Sequence, residues 1–387
     1  MCHRLQTLFV ALLLFSVTHD SCALGQARPP DDKSSNNYLS VSGSRIYYEE
    51  CGAGPCIVLL HDGLVHATSW DGIWDTLGKK FHLVRYDRRG YGRSGAPKAS
   101  FSPTEDLAAL LAHVQQPRVT LVGCSSGAGL ATDFAIEHPD QVEQLILIGP
   151  VVHGMATSAH FYARGEKNNA PLRKGDVKAT AENWSKDRYL IAGNHDTARN
   201  TVYEALVQYP HNLNYPGKFE IRSSAVDRLG EIRAPTLILV GAHDIPDVHA
   251  YSGALEAGIW GARREVVPDA GHLIALEQPE RSGKIITRFV EKYRAIRVPK
   301  ELLENYAGSY KMHGGIRELV IKDGRLALRE PRERDMPLFA ASESKFFSLV
   351  GTPAEYEFVR DASGKVTGLN LREFGAVRRC ERVTGRT

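Results

Sequence analysis

The residues best suited to chemistry lie in Gly123-Cys124-Ser125-Ser126-Gly127, a G-x-S-x-G pattern between the apolar run Val119 to Val122 and a helix-forming stretch. A serine on a sharp strand-to-helix turn is held in a strained conformation that lifts its hydroxyl clear of the sheet. Small neighbours are required because the backbone folds tightly around it. The helix that follows aims its positive end at the site, and the Ser126 N–H is placed to bind a developing oxyanion. The other reading of such a glycine-rich turn is a phosphate cradle, but the spacing of Gly123, Gly127 and Gly129 fits neither nucleotide fingerprint. Ser125 therefore reads as a nucleophile.

A serine nucleophile needs a base, and the base needs a group to orient it. On such an elbow the acid and then the histidine follow in chain order, each on a loop after a strand. The run Thr236 to Val240 leads into Gly241-Ala242-His243-Asp244, and Glu265-Val266-Val267-Pro268 leads into Asp269-Ala270-Gly271-His272. These place Asp244 as the acid and His272 as the base, out of 15 histidines. Asp247 is the rival acid, and Asp269 reads as a turn former two residues before Gly271. Gly149-Pro150-Val151, after the other central strand, offers no carboxylate. The second oxyanion donor is expected from His61-Asp62-Gly63-Leu64, as the N–H of Gly63 or Leu64. A carboxylate facing the hole would oppose negative charge, so Asp62 should turn away, tied in a local Asx turn. His61 reads as a structural hydrogen-bonder rather than a second base.

These side chains need a scaffold that brings distant segments together. Short continuous apolar runs (Cys56 to Leu60, Phe81 to Tyr86, Val119 to Val122, Leu145 to Ile148, Thr236 to Val240) alternate with helix-period segments. That rhythm indicates a mostly parallel sheet covered by helices, with strands buried on both faces. Ser102-Pro103-Thr104-Glu105 opens one helix, and another is expected from Ser126 to Glu137. Residues 151–233 break the rhythm, are polar and rich in aromatics, and read as a lid insertion. After Pro299 the period changes to two, with turns at Lys322-Asp323-Gly324, Asp361 to Gly364 and Gly375, which marks a separate antiparallel β domain over 301–387.

The 387 residues are 43% hydrophobic and 24% charged, with a formal net charge of +3. No basic stripe of the kind nucleic-acid partners require is present in that pattern, so a small-molecule substrate is expected. Arg4 followed by the apolar run Leu5 to Val17 and by Ser21-Cys22-Ala23 reads as a signal peptide over 1–23. The run falls short of the roughly 20 residues that span a bilayer, so no stable span is expected after its removal, and an uncleaved anchor is the alternative. A flexible lead-in follows over 24–37. The mature protein is thus expected to be secreted or periplasmic, a setting that permits disulfides. Cys51 and Cys56 flank a Gly-Ala-Gly-Pro turn, and a hairpin there would let them bridge; two free thiols is the other reading. No Cys/His cluster has metal-ligand spacing, so no metal or other cofactor is expected.

The run LLHDGLVHATSWDGIWDTLGKKFHLVRYDRRGYGRSGAP (59–97) resembles the N-terminal half of α/β-hydrolase fold-1 enzymes. VTLVGCSSGAGLATDFAIEHPDQVEQLILIGP resembles their elbow and next strand, and PTLILVGAHD and VPDAGHLIALEQPE resemble their acid and histidine loops. The resemblance covers about 40–295 and implies an α/β-hydrolase domain over 38–298 with a helical lid. It also implies that the loop holding Asp87 braces the site without doing chemistry. Departures are Asp62 in the oxyanion loop, and Cys124 and Ser126 beside the nucleophile. Residues 301–387 more weakly resemble the small lipocalin-like β domain of some serine beta-lactamase-like peptidases, through Asn305 to Tyr310, Ser344 to Phe347 and Phe358 to Leu369. The implied activity is hydrolysis of an ester-like substrate. Amidase, lactonase, aminopeptidase and C–C hydrolase chemistry use the same triad, and a non-catalytic binding protein on this fold is the reading from another class. Epoxide and haloalkane hydrolases place aspartate where Ser125 stands.

Overall fold

The computed structural model describes residues 37–214, 224–322, 324–329, 335–349 and 354–383. The expected signal peptide and nearly all of the lead-in lie outside the described residues.

The chain enters as an antiparallel hairpin, β1 (Tyr38–Val41) and β2 (Ser44–Cys51), and then alternates strand and helix. The succession is β3 (Cys56–Leu60), α1 (Asp71–Gly78), β4 (His82–Tyr86), α2 (Pro103–His113), β5 (Val119–Cys124), α3 (Ser126–Glu137) and β6 (Val142–Ile148). Helices α4 (Ala159–Asn169), α5 (Val177–Ser185) and α6 (Asp196–Gln208) form the insertion expected over 151–233. The core resumes with β7 (Thr236–Gly241), α7 (Pro246–Gly258), β8 (Arg263–Val267), α8 (Ile274–Glu277) and α9 (Pro279–Lys292). Strand order is β1-β2-β4-β3-β5-β6-β7-β8, parallel from β4 through β8 and antiparallel at β1 and β2.

Every residue of β3, β5 and β7 is buried, which is why those runs lack polar alternation. Successive side chains of β3 feed opposite cores. Ile57 and Leu59 pack with α9 and the insertion, whereas Val58 and Leu60 pack with α2, α3 and α7. Ser102 caps α2 by accepting the Glu105 N–H at 3.3 Å, with Pro103 in the first turn, as the sequence suggests.

The hairpin expected between Cys51 and Cys56 does not form. Strand β4 lies between β2 and β3, with Cys51 opposite Leu83 and Cys56 opposite His82. Two strand spacings, roughly 9–10 Å, exceed the ~7 Å Cα separation a disulfide spans. Both cysteines are free thiols, as are Cys124 and Cys380.

The C-terminal part opens with α10 (Lys300–Tyr306) and continues as β9 (Gly308–Met312), β10 (Gly315–Lys322), β11 (Arg325–Leu328), β12 (Met336–Pro337), β13 (Phe339–Ala340), β14 (Lys345–Ser348), β15 (Ala354–Arg360), β16 (Val366–Glu373) and β17 (Ala376–Arg382). These form one antiparallel sheet in the order β12-β11-β10-β9-β17-β16-β15-β14-β13. Its two edge strands are separated in sequence by Leu338 alone, so the sheet curls into a nearly closed barrel. Tyr306, Tyr310, Phe346 and Phe358 fill its interior, with Tyr306 stacked on Phe358 at 3.9 Å. Outside the barrel interior, Phe347 lies 5.4 Å from Tyr293, next to α9, and Phe339 stacks on Phe347. The barrel thereby shares the hydrophobic core on one face of the large sheet.

Candidate active site

The functional residues gather at the C-terminal ends of the parallel strands, where helix N-termini and loops leave room for a ligand. Ser125 joins β5 to α3 with φ 54 and ψ −117, a conformation costing a non-glycine residue of order 1–3 kcal/mol. Its tight turn explains both flanking glycines. A Cβ on Gly123 would collide with the Gly127 carbonyl, and one on Gly127 with the Leu60 carbonyl. The Ser125 N–H donates to the Ile148 carbonyl at 2.9 Å, fixing the elbow to the end of β6.

Asp244 and His272 meet as their order in the chain suggests. His272 Nδ1 lies 2.9 and 3.1 Å from the two Asp244 carboxylate oxygens. The side chains are 0% and 7% exposed for Asp244 and His272, so the pair is removed from water. Burial pulls the imidazole pKa down, but the Asp244 charge and hydrogen bond, helped by Asp62, outweigh it and leave the pKa raised above 6.5. The Ile245 N–H also donates to Asp244, at 2.7 Å. Gly149, with φ 51, presses on this pair: a Cβ there would sit 3.0 Å from His272 Nδ1 and 3.2 Å from Asp244 Oδ2. The residues at the end of β6 thus hold Ser125 through Ile148 and touch the pair through Gly149. Among the described residues no hydrogen bond yet joins Ser125 Oγ to His272, and such contacts are commonly long before substrate binds.

The competing carboxylates have other partners. Asp247 accepts the Ser158 N–H at 2.6 Å and its hydroxyl at 2.7 Å, tying the N-cap of α4 to α7. Asp269 takes φ 56, the left-handed turn conformation its position before Gly271 suggests. Asp87 is buried and accepts the N–H groups of Ala67 and Arg93 and the Arg93 guanidinium, so it braces its loop.

In the oxyanion loop, Asp62 Oδ1 accepts the N–H groups of Leu64 and Val65, both at 2.8 Å. This is the expected Asx turn, and it has a consequence for the donors. The Leu64 N–H is spent on Asp62, which leaves Gly63 as the candidate donor from this loop, beside the N–H groups at the start of α3. His61 is fully buried, and burial together with the Arg88 charge drives its pKa well below 6.5. It accepts the Arg88 N–H at Nε2 (2.9 Å), so its Nδ1–H donates to the Asp62 carbonyl (2.7 Å). It is a neutral structural hydrogen-bonder. Cys124 is buried behind the elbow, and burial raises its thiol pKa far above the usual value.

Sequence reading missed the support behind His272. Its N–H donates to the Tyr189 and Leu190 carbonyls at 2.8 and 3.1 Å, so the insertion grips the histidine loop. Glu277 secures the same joint, accepting the N–H groups of Gly271 (2.9 Å) and Ala192 (2.7 Å). In the sequence Glu277 is one acid of a helix start, and nothing local marks its partner 85 residues away.

The sequence profile of the alpha/beta hydrolase family matches residues 57–282, more than half of the chain. An uncharacterized protein of Mycobacterium tuberculosis is 34% identical over 280 residues, covering 66% of this chain and 80% of that protein. A pimeloyl-(acyl-carrier protein) methyl ester esterase of Nitrosomonas europaea is 25% identical over 252 residues, 61% of this chain and 95% of that protein. Among solved structures, a thermophilic esterase from Thermogutta terrifontis superposes with a TM-score of 0.57 at 25% identity, covering 67% of this chain and 97% of its own. The profile match ends before the barrel.

Proposed function

The chain belongs to the alpha/beta hydrolase family, and from that membership we propose that it is a serine hydrolase cleaving a small ester-like substrate through an acyl-enzyme. The observation that carries this reading is the buried His272–Asp244 pair, packed against Gly149, which directly follows the strand whose last carbonyl holds the Ser125 N–H. Ser125 Oγ attacks the carbonyl carbon while His272 Nε2 takes its proton. Asp244 holds the imidazole with Nδ1 protonated, which presents the Nε2 lone pair to the serine, and stabilises the imidazolium that forms. The N–H groups of Ser126 and Gly63 bind the tetrahedral oxyanion. His272 then protonates the leaving alcohol. Water, activated by the same imidazole, releases the acid and restores Ser125.

Two of the relatives named above are esterases, which favours ester cleavage over the amidase, lactonase, aminopeptidase and C–C hydrolase chemistries the same residues support. A protein that only binds ligands on this fold has no need of the paired acid and histidine. The Ser125→Ala variant should lose p-nitrophenyl ester turnover while keeping its fold, and a fluorophosphonate should modify Ser125. Unchanged turnover in that variant, or a label on another serine, sinks the reading.

We also propose that residues 1–23 direct export and are removed, so the enzyme works in a secreted or periplasmic setting. Amino-terminal sequencing of the protein recovered outside the cytoplasm tests this; a retained Met1 there overturns it. The C-terminal domain is proposed to stabilise the hydrolase domain through Phe339, Phe347 and Tyr293 rather than to supply a catalytic group.

A further inference from the structure

Arg88, directly after β4, makes contacts that the steps above leave unused. One guanidinium nitrogen, Nη2, donates to the Asp62 carbonyl at 2.7 Å and to the Ser126 hydroxyl at 2.7 Å. The first partner belongs to the peptide that carries the Gly63 N–H. The second belongs to the residue whose own N–H is the other proposed oxyanion donor. A Cβ on Gly63 would sit 3.3 Å from Ser126 Oγ, so the two halves already touch.

The peptide geometry gives this contact its meaning. In a planar trans peptide the C=O and the following N–H point in opposite directions. The Asp62 carbonyl is held by two donors on one side, Arg88 Nη2 and His61 Nδ1–H, both at 2.7 Å. Holding that carbonyl turns the Gly63 N–H to the opposite side. The next two N–H groups of the loop are taken by the Asp62 carboxylate. Only Gly63 is left to donate.

We infer that Arg88 is a positioning residue of the oxyanion hole, setting the Gly63 and Ser126 N–H groups in register by bonding to both of their residues at once. The inference rests on the serine-hydrolase reading and adds to it a group outside the triad. Charge supports it. Among the described residues Arg88 forms no ion pair with a carboxylate, and the Tyr91 ring covers its guanidinium at 4.8 Å. Its Nε is buried without a hydrogen-bond partner. A guanidinium on that side of the hole offsets the neighbouring Asp62 carboxylate and so favours the tetrahedral anion over the neutral substrate, which is differential stabilisation of the transition state.

The test compares wild type with Arg88→Met, which keeps the stem and loses every donor, and with Arg88→Lys. Removing a direct oxyanion donor typically costs about 10²–10³ in kcat; for Arg88→Met, acting through such donors, a fall of roughly 10- to 100-fold is expected, with KM within about threefold. Affinity for a trifluoromethyl ketone, which forms a tetrahedral anion on Ser125, should fall by the same factor, while affinity for the neutral product alcohol stays level. Arg88→Lys should recover most of the loss, because a single nitrogen makes both bonds. Should Arg88→Met fail to fold, Ser126→Ala removes one of the two anchors and leaves the backbone donor; kcat should then drop about three- to tenfold at constant KM. A role confined to holding the loops together predicts lowered thermal stability with unchanged ketone affinity relative to product alcohol, and that outcome overturns the assignment, as does wild-type kcat in Arg88→Met or in Ser126→Ala. Fluorophosphonate labelling in the wild type separates the two levels: without a label on Ser125 the serine reading itself falls, whereas a labelled Ser125 with unaffected Arg88 variants rejects Arg88 alone.

Discussion

Replacing Asp244 by asparagine changes almost no volume and removes one charge. The Ile245 N–H, 2.7 Å from Oδ1, keeps the amide oxygen on its own side. The amide nitrogen therefore takes the place of Oδ2, 3.1 Å from His272 Nδ1, where its N–H competes for the Nδ1 lone pair with the amide oxygen that stays 2.9 Å away as an acceptor. The tautomer that this N–H favours carries the imidazole proton on Nε2, the nitrogen that must accept the serine proton. Loss of the correct tautomer in a serine–histidine–acid triad costs roughly 10⁴ in kcat, or about 5 kcal/mol of transition-state stabilisation. The pH profile should move as well. With Asp244 ionised, the wild-type inflection on the acid side of the kcat/KM curve lies above 6.5, because the carboxylate's effect exceeds that of burial. Without it, burial dominates and the inflection drops below 6.5. Activity and stability run opposite ways across this titration in the wild type. The folded pKa is raised, so the ion pair's stabilisation is fully present below about 6.5 and is lost as pH climbs through the raised value, while turnover climbs. Stopped-flow p-nitrophenol release between pH 5 and 9, with circular dichroism to confirm folding, measures all of this. A folded Asp244→Asn protein retaining activity within tenfold of wild type, or keeping the wild-type inflection, would refute the reasoning.

Three further expectations follow from particular contacts. Asp247→Ala should cost about 1–3 kcal/mol by removing the two hydrogen bonds that hold Ser158, the N-cap of α4, to α7 and leave small-ester kcat within about threefold; a loss as deep as that of Asp244→Asn would make Asp247 the acid. Gly149→Ala places a methyl 3.0 Å from His272 Nδ1 at a backbone φ of 51. It should lower kcat at least tenfold while costing about 1–2 kcal/mol in denaturant titrations, and an unaffected kcat would mean the pair has slack to move. Cys51 and Cys56 should both alkylate in denatured, unreduced protein, as read by intact mass; a bridge between them would contradict the placement of β4 between β2 and β3.

Much of the site was legible because its chemistry demands local patterns. Gly123 and Gly127 are fixed by carbonyls within 3 Å of where a Cβ would stand, so the elbow leaves a five-residue trace. Asp244 follows the buried strand β7 and His272 the half-exposed edge strand β8, and their order along the chain matches the order of loops along the sheet edge. The Asx turn at Asp62 is likewise local, its acceptor and donors lying two and three residues apart. The misjudged hairpin at Cys51 and Cys56 shows the limit. Two strand-like runs joined by a turn look alike whether they pair with each other or with a third strand, and β4 arrives some 25 residues later.

The amino-acid order alone therefore determined the fold class, the elbow turn, the candidate acid and base of the proposed triad and the change to a β domain near residue 300, since each is written in hydrophobic period or in turn chemistry within a short window. Tertiary structure decided which of several loop groups face one another. It gave Asp247 to Ser158, spent the Leu64 N–H on Asp62, brought Gly149 against the His272–Asp244 pair, clamped His272 from the insertion, and joined Asp62 to Ser126 through Arg88. These contacts join segments that are mostly tens of residues apart. Their energies depend on direction and burial, and neither quantity exists until the strands are ordered side by side.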